Sequence, residues 1–500
     1  MILNLGDETK AMSLGILMPT VVVVGLLAYL LGYALYQLFV SPLSKIPGPK
    51  LWAVSYIPYV RLYTSGHSHR KILKLHQQYG PIIRVGPTHV SIHHPDAHEI
   101  VKNKPKSEEN PKDALDTGHI RQSILGAPRA DHQRYRRLLA HGFSAQTMLD
   151  QEPIIKEYID KLFERLHEAS KANTGPIDLE KWFNFTTFDI IGDLTFGEPF
   201  GCLEDGTYHP WVDIMFKTLK NITFMTATKR LSWLAPLFKT TIPKDVASKL
   251  AENEALTIEK VKKRMELGTH RPDFMDAMIR KSEIAGAAIT FPELMSNAFV
   301  LITAGSETTA TVLTAATYFL ATHPDCLKKL TDEVLSSFAS ESQIDMLSVQ
   351  KLTYMPALLT ESMRLYPPAP GPQPRMAKEG GTNILGRFIP EGTTIDIWQW
   401  ALHHDPEYFS RVEEFIPERW LDDPSFDNDV KKVVQPFSVG YRNCIGKNLA
   451  NAELRLILSR LIWNFEIRPV VDIHKFYEDS EVFMLWEKGP MEVHLTPRTK

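Results

Sequence analysis

Phe437-Ser-Val-Gly440-Tyr-Arg442-Asn-Cys444-Ile-Gly446 stands immediately before a long apolar-periodic run that reads as a helix. A thiol at that place is suited to bind a metal as its thiolate. Free N–H groups and the positive end of the macrodipole at a helix N-terminus stabilise negative charge and lower a thiol's pKa. Gly440 and Gly446 carry no Cβ and would let the backbone approach a flat cofactor. Phe437 could pack against that cofactor, and Arg442 could pair with an acidic substituent on it. A single axial thiolate, without a second Cys or His at zinc spacing, suits haem iron better than zinc. Taken alone, Cys444 has a plainer reading, a buried inert thiol.

The decapeptide as a whole resembles the haem-binding signature of the cytochrome P450 family, Phe-x-x-Gly-x-Arg-x-Cys-x-Gly, with all five defining positions present. The resemblance implies a mainly α fold with a small β part, the cytochrome P450 fold. It implies haem b, with its iron ligated axially by Cys444 and its surroundings built from Phe437, Gly440, Arg442 and Gly446.

The chain has 500 residues and a formal charge of −3, which argues against nucleic-acid binding. Its three cysteines, Cys202, Cys326 and Cys444, are odd in number and far apart, so no disulfide framework is expected. No Gly-x-Gly-x-x-Gly follows a strand and no phosphate loop occurs, so the chain shows no nicotinamide or flavin module of its own.

From Ala11 to Ser44 there is no charged residue, and the centre of that stretch is almost wholly apolar. A bilayer core needs about 20 such residues in a helix. Residues 12–40 therefore read as a transmembrane anchor, preceded by a short lumenal tail (1–11). A proline-rich hinge (41–50) follows, then a catalytic body (51–500). Lys45, Lys50 and Arg61 follow the span, so the positive-inside rule puts the body in the cytosol. The anchor-then-proline layout is similar to that of microsomal members of the family and implies a single-pass endoplasmic reticulum protein. Cytosolic placement would leave the sequons at Asn184 and Asn221 unused.

In the body, Ile82-Ile-Arg-Val, a Gly86-Pro87 turn and His89-Val-Ser-Ile92 predict a β-hairpin. Asn383-Ile-Leu-Gly and Thr393-Thr-Ile-Asp-Ile-Trp predict further strands. Helical periodicity covers residues 154–169, 247–266, 291–321, 326–337 and 355–365. The run from Phe291 begins with capping-box spacing, Thr290-Phe-Pro-Glu293. At its midpoint stands Ala304-Gly305-Ser306-Glu307-Thr308-Thr309, polar groups that are costly in a buried helix unless they have partners or work. Gly305 would let a small ligand come near the backbone. The hexapeptide resembles the family's oxygen-side motif, which implies Thr308 as the oxygen-activating hydroxyl and Glu307 as the proton-relaying acid, with Ala304 beside the haem. The plainer reading is a core helix whose threonines bond back to carbonyls.

Glu361-Ser-Met-Arg364 places a carboxylate and a guanidinium at i, i+3. With Arg419 in Pro417-Glu-Arg-Trp420, the resemblance implies a buried Glu361–Arg364–Arg419 network that locks the cysteine loop. His132 and Arg136 share a helix face where the family commonly has Trp-x-x-x-Arg, both reaching a haem propionate; His132 departs from that pattern. Arg375 and Arg442 are further propionate candidates, because a guanidinium fork can hold both carboxylate oxygens. Arg134, Arg137, Lys431, Lys432 and Lys447 offer a docking patch for an acidic electron donor.

The implied reaction is monooxygenation, with O2 as oxidant and NADPH electrons delivered by a separate flavoprotein reductase. Ile120, Ile124, Phe216, Phe224, Trp233, Phe299, Val300, Thr303, Ala304, Pro370 and Phe483 are candidate pocket walls and point to a lipophilic small molecule. The wording of the motifs is most similar to that of filamentous-fungal members acting on polyketide, terpenoid or alkaloid secondary metabolites. A haem-thiolate isomerase or dehydratase, and a non-catalytic haem sensor or carrier, are the alternatives.

Overall fold

The computed structural model describes residues 5–103, 105, 108–172, 175–232, 244–268, 271, 273–283 and 289–499. The apolar N-terminal run forms α1 (Leu5–Leu35), which continues as a π-helical turn over Tyr36–Val40. Met18–Val40 is a candidate membrane span of 23 residues with mean hydropathy 2.0, and its most apolar stretch is not buried against the body. No membrane is needed to explain where it ends. Gln37 is buried, and the Arg84 guanidinium donates to its carbonyl at 2.7 Å and to its Oε1 at 2.5 Å.

The segment expected to be a hinge is docked. Leu43 and Ile46 are buried with Val90, Ile92 and Ile395 in a small apolar core beside the main sheet. The Arg84 N–H donates to the Pro47 carbonyl at 2.7 Å, and Gly48 takes φ +156 where a Cβ would stand 2.4 Å from the Arg84 carbonyl oxygen. The hairpin expected at residues 82–92 is present as β1 (Ile82–Gly86) and β2 (His89–Ile92), antiparallel with a bulge near Gly86.

Helices make up most of the body. They include α2 (Arg129–Leu139), α3 (Ala145–Ala172), α4 (Leu179–Phe196), α5 (Pro210–Thr228) and α6 (Lys244–Glu266). Beyond these come α7 (Phe291–Thr322), α8 (Pro324–Ser337), α9 (Tyr354–Leu365) and α10 (Lys447–Asn464). The other strands are short: β3 (Ile177–Asp178), β4 (Arg375–Met376), β5 (Thr382–Ile384), β6 (Arg387–Ile389), β7 (Thr394–Asp396), β8 (Phe465–Pro469), β9 (Glu481–Val482), β10 (Trp486–Glu487) and β11 (Glu492–Pro497). The main sheet has the order β1-β2-β7-β4, with β2 and β7 parallel, and a second sheet has the order β3-β11-β8.

The central element is α7. Thr290 and Glu293 form the expected capping box at its start. Its passage through the apolar core buries most of its length. Helix α4 packs along it. A Cβ on Gly305 would stand 2.8 Å from Ile191 Cδ1, so this glycine serves close helix–helix approach rather than the approach of a small ligand. One turn along, Thr187 and Ser306 hydroxyls bond across the same contact at 3.0 Å.

Candidate haem-thiolate site

The Cys444 loop closes on itself. The Cys444 N–H donates to the Phe437 carbonyl at 2.8 Å, and the Asn443 N–H donates to the Gly440 carbonyl at 3.1 Å. Gly440 has φ +75, and a Cβ there would lie 2.9 Å from the Lys102 carbonyl oxygen. Its freedom from a side chain is therefore required by the short helix Ala97–Lys102 packed behind the loop, a reason different from cofactor approach. At Gly446 a Cβ would meet Phe143 at an ordinary 3.7 Å. Phe437 is half-buried against the main core, with the Lys447 ammonium 5.6 Å from its ring centroid.

Cys444 is accessible, unlike the buried Cys202 and Cys326. Yet desolvation by its surroundings pushes its thiol pKa up, against the lowering effect of the Gly446 N–H, Arg136 and Lys447. The helix-terminus stabilisation expected from the sequence is present in the Gly446 N–H, but burial outweighs it.

Ala304 is exposed in mid-helix, and Thr308 one turn on is partly exposed. Val300, Ala304 and Thr308 share one ridge of α7 by their i, i+4 spacing. The Thr308 hydroxyl donates to the Ala304 carbonyl at 2.6 Å. The Glu307 carboxylate is buried on the neighbouring flank, with the Thr311 hydroxyl at 3.3 Å and the Lys488 ammonium hydrogen-bonded to the same Oε1. Among the described residues no hydrogen bond joins Glu307 to Thr308.

A cluster of cations converges near the loop. Arg442 donates to the Ala127 carbonyl at 3.0 Å and to Glu109 Oε1 at 2.5 Å, and Arg375 reaches the same Glu109 oxygen at 3.4 Å. Burial, aided by Arg442, lowers the Arg375 pKa to about 10. Burial and Arg375 lower Lys102 to about 7. Lys112 is held well below the lysine range by burial and by Arg375, Lys102 and Arg442. His132 is buried with its ring edge-on to Tyr441 at 5.8 Å, and its Nδ1 has no hydrogen-bond partner. Burial and the surrounding cations lower it to about 3, so the ring is neutral. Two guanidiniums share one Glu109 oxygen, and burial beside them drives Lys102 and Lys112 toward their neutral forms; an acidic ligand group would balance the arginines and restore charge to the lysines. Lys102 and Lys112 escaped the sequence reading, since isolated lysines carry no pattern.

Arg136 is placed otherwise than expected. Its guanidinium donates to the Asn443 carbonyl at 2.7 Å and to Asn443 Oδ1 at 2.5 Å, so it braces the backbone beside Cys444 rather than joining the cation cluster. Glu361, Arg364 and Arg419 form one buried network. Arg364 donates to Glu361 at 2.8 and 2.9 Å, Arg419 Nε lies 3.4 Å from Glu361 Oε1, and all three are fully buried. Trp420 adds a 2.9 Å bond to Glu361, and Arg419 continues to Asp429, upstream of the cysteine loop.

Of the proposed docking patch, Arg134 is committed to Glu293 at 2.5 Å and to Asp131, and Lys432 to Asp96 at 2.6 Å. Arg137 and Lys447 are exposed and Lys431 partly so. Among the pocket candidates Val300, Pro370 and Phe483 are buried and Ile120, Ile124, Phe299 and Thr303 half-buried, whereas Phe224 is exposed. The Ile124 N–H donates to Asn297 on α7 at 2.8 Å, which seats that segment on the helix. Trp233 and the side chain of Phe216 lie outside the described residues. Glu453 on α10, absent from the sequence reading, is buried and bonded to Thr309, and burial raises its carboxyl to about 8.

A lone accessible cysteine, a cation cluster and an oxygen-side hydroxyl fit a haem held through sulfur and through its carboxylates. Among the described residues no group of three or more His, Cys, Asp or Glu could hold a metal by itself. This donor set defines a haem-thiolate protein. The family model described as Cytochrome P450 matches residues 46–493, and the chain belongs to that family. It is 47% identical to the trichothecene C-15 hydroxylase of Fusarium sporotrichioides over 94% of this chain and 96% of that one. It is 40% identical to the averantin hydroxylase of Dothistroma septosporum over 95% and 90% of the two chains. A cytochrome P450 monooxygenase of Aspergillus oryzae, astJ, is 37% identical over 93% and 94%. The protein is an oxidoreductase of the P450 monooxygenase kind.

Proposed function

We propose that the chain hydroxylates or otherwise oxidises a lipophilic secondary metabolite, a polyketide, terpenoid or alkaloid. O2 is the oxidant, and NADPH electrons come from a separate flavoprotein reductase. The body works on the cytosolic face of the endoplasmic reticulum, anchored once by Met18–Val40 and followed by the basic residues Lys45, Lys50 and Arg61. The observation that carries the reading is an accessible Cys444, in a loop braced by Arg136, in the same chain as the exposed Ala304 and partly exposed Thr308 of α7. The names of the relatives support the substrate class.

Haem, when bound, supplies the oxygen-activating redox chemistry. The residues of the chain do the rest. Cys444 presents its sulfur from a loop braced by Arg136 and closed by the Phe437 carbonyl. Arg442 and Arg375, with Lys112, Lys102 and neutral His132, would hold the acidic edge of the cofactor. Ala304, exposed in mid-helix, would leave room for a small ligand. Thr308, on leaving the Ala304 carbonyl, would donate its hydroxyl proton into that space, and Glu307, after taking up a proton from solvent, would replenish it. Phe299, Val300, Ile124 and Phe483 exclude water and receive an apolar substrate.

The test is spectroscopic first. Reduced microsomal protein treated with carbon monoxide should give the thiolate-type Soret band, and Cys444→Ser should lose it. Product formation should then require NADPH, reductase and O2 together. Full turnover without them would replace this reading with that of an isomerase or dehydratase.

A further inference from the structure

Helix α5 is tied to the body in two very different ways. Its start is fixed by the buried Trp211, whose indole donates to Thr257 on α6 at 2.9 Å and whose ring lies 5.6 Å from Phe299 on α7. Just past its end, the buried Arg230 guanidinium donates to Asp113 at 3.1 Å, to Asp116 at 3.0 Å and to Thr394 on β7 at 3.3 Å. The rings of Tyr56 and Tyr59 lie 5.9 and 5.8 Å from the same cation. Pulling this end away would leave buried charges without partners, a heavily penalised state. Midway along α5, Lys220 reaches across to the hairpin of β9 and β10. Its ammonium stands 3.0 Å from Glu487 Oε2, 3.6 Å from Glu481 Oε2 and 4.4 Å from the centroid of the Phe483 ring. The Lys220 side chain is 54% exposed, so these contacts are worth little and salt screens them. The Phe483 ring that it covers is buried at the hairpin tip.

We propose that Lys220 and Phe483 form a side-chain gate between α5 and the β9–β10 hairpin, through which uncharged apolar ligands reach the pocket while the Arg230 seam stays shut. This rests on the reading of Phe299 and Phe483 as pocket walls in a haem protein. Opening at Arg230 would part a buried cation from two carboxylates and a hydroxyl at once. Opening at Lys220 turns one long, half-exposed side chain into water, where its charge stays solvated. The hairpin does not have to move. The Val482 N–H donates to the Gly66 carbonyl at 2.7 Å, and the Trp486 indole donates to the Pro367 carbonyl at 2.7 Å while stacking on Tyr366 at 4.1 Å. Nor does α5, which Trp211 and Arg230 hold at both ends. Rotation of Lys220 uncovers the Phe483 ring, and a rotamer change of that ring completes the passage.

The experiment mixes the full-length holoprotein by stopped flow with phenylimidazole, kept uncharged at mildly alkaline pH, and follows the Soret shift as its nitrogen binds the haem iron. Lys220→Ala should raise the rates of binding and of release together, each about fivefold, with the dissociation constant held within about twofold. Its melting temperature should stay that of the wild type, because the side chain is exposed. Added salt should speed the wild type toward this variant and leave the variant unmoved, whereas a route past the buried Arg230 pairs would respond far less to salt. Lys220→Glu should be as fast as Lys220→Ala, and Lys220→Glu/Glu487→Lys should regain most of the delay. Wild-type rates in Lys220→Ala, or a wild type indifferent to salt, would overturn the proposal. So would a change in release alone, which would make Lys220 a wall of the pocket rather than its gate. A wild type that shows no Soret shift at any probe concentration would instead overturn the haem reading, and the gate with it.

Discussion

Glu453 carries a neutral carboxyl at pH 7 because the helix after the cysteine loop buries it completely, with one hydroxyl, that of Thr309, as its partner. Its folded pKa of about 8 lies above the ordinary carboxylate value. The sign follows from proton binding, since between those two values the folded chain holds a proton that the unfolded chain releases. Glu453 therefore contributes stability that is complete below the ordinary carboxylate pKa. That contribution falls as pH rises and is lost once pH passes about 8. Glu453→Gln should flatten this part of the curve, so that wild type and variant differ in the slope of melting temperature against pH across that window. Parallel slopes would mean that Glu453 is ionised in the folded protein. One signal in the sequence marked the residue: an acid at i, i+4 spacing between Leu449 and Ile457, both buried on α10.

At the scale of elements, the contact between α4 and α7 is set by what is missing at residue 305. Ile191 occupies the place of the absent side chain, and Thr187 bonds Ser306 beside it. Gly305→Val should force these helices apart and cost about 1–3 kcal/mol by overpacking, read as a lower denaturation midpoint, with Ile191→Ala in the same chain restoring part of it. No loss on Gly305→Val would show that the helices can separate freely there. This pair also explains which helices the sequence disclosed. Residues 154–169, 247–266 and 326–337 each have a wet face, so their apolar positions recur at helical spacing, whereas 355–365 is buried almost throughout and carries the Glu361–Arg364 pair at helical spacing; the structure extends the first back through Pro153 to Ala145 and the others by less than a turn. Helix α4 is buried on nearly every side, so it has no polar stripe to make a period visible. Helix α7 was readable despite similar burial because Thr290 and Glu293 announce its start and His323-Pro324 its end. The cation cluster was half legible. Arg375 and Arg442 stand in recognisable surroundings, while Lys102, Lys112 and Glu109 arrive from a segment without pattern and meet them only in three dimensions. The Glu307–Lys488 link joins residues far apart in sequence, which no local period can report.

For the molecule as a whole, the boundary between the apolar helix and the packed body falls inside the last helical turn. Composition put it after Val40, where the apolar run gives way to prolines. Packing puts it before Gln37, whose carbonyl and amide oxygens hold the buried Arg84 guanidinium together with the Gly86 and Pro87 carbonyls. Composition could not reveal this, because a single Gln in an apolar run reads the same whether it faces lipid or an arginine. Chains beginning at Tyr36 and at Ser41 would both lack the exposed span Met18–Leu35 and should both leave the membrane fraction more readily than the full chain. They should differ in stability. Loss of Gln37 leaves a buried, charged donor short of two acceptors, at about 1–3 kcal/mol, so the chain beginning at Ser41 should unfold at lower denaturant concentration. Arg84→Met should remove most of that difference, because an apolar side chain has no bonds to lose to Gln37. Equal midpoints for the two truncated chains would mean that water takes the place of Gln37 without penalty, and that the body ends where the apolar run does.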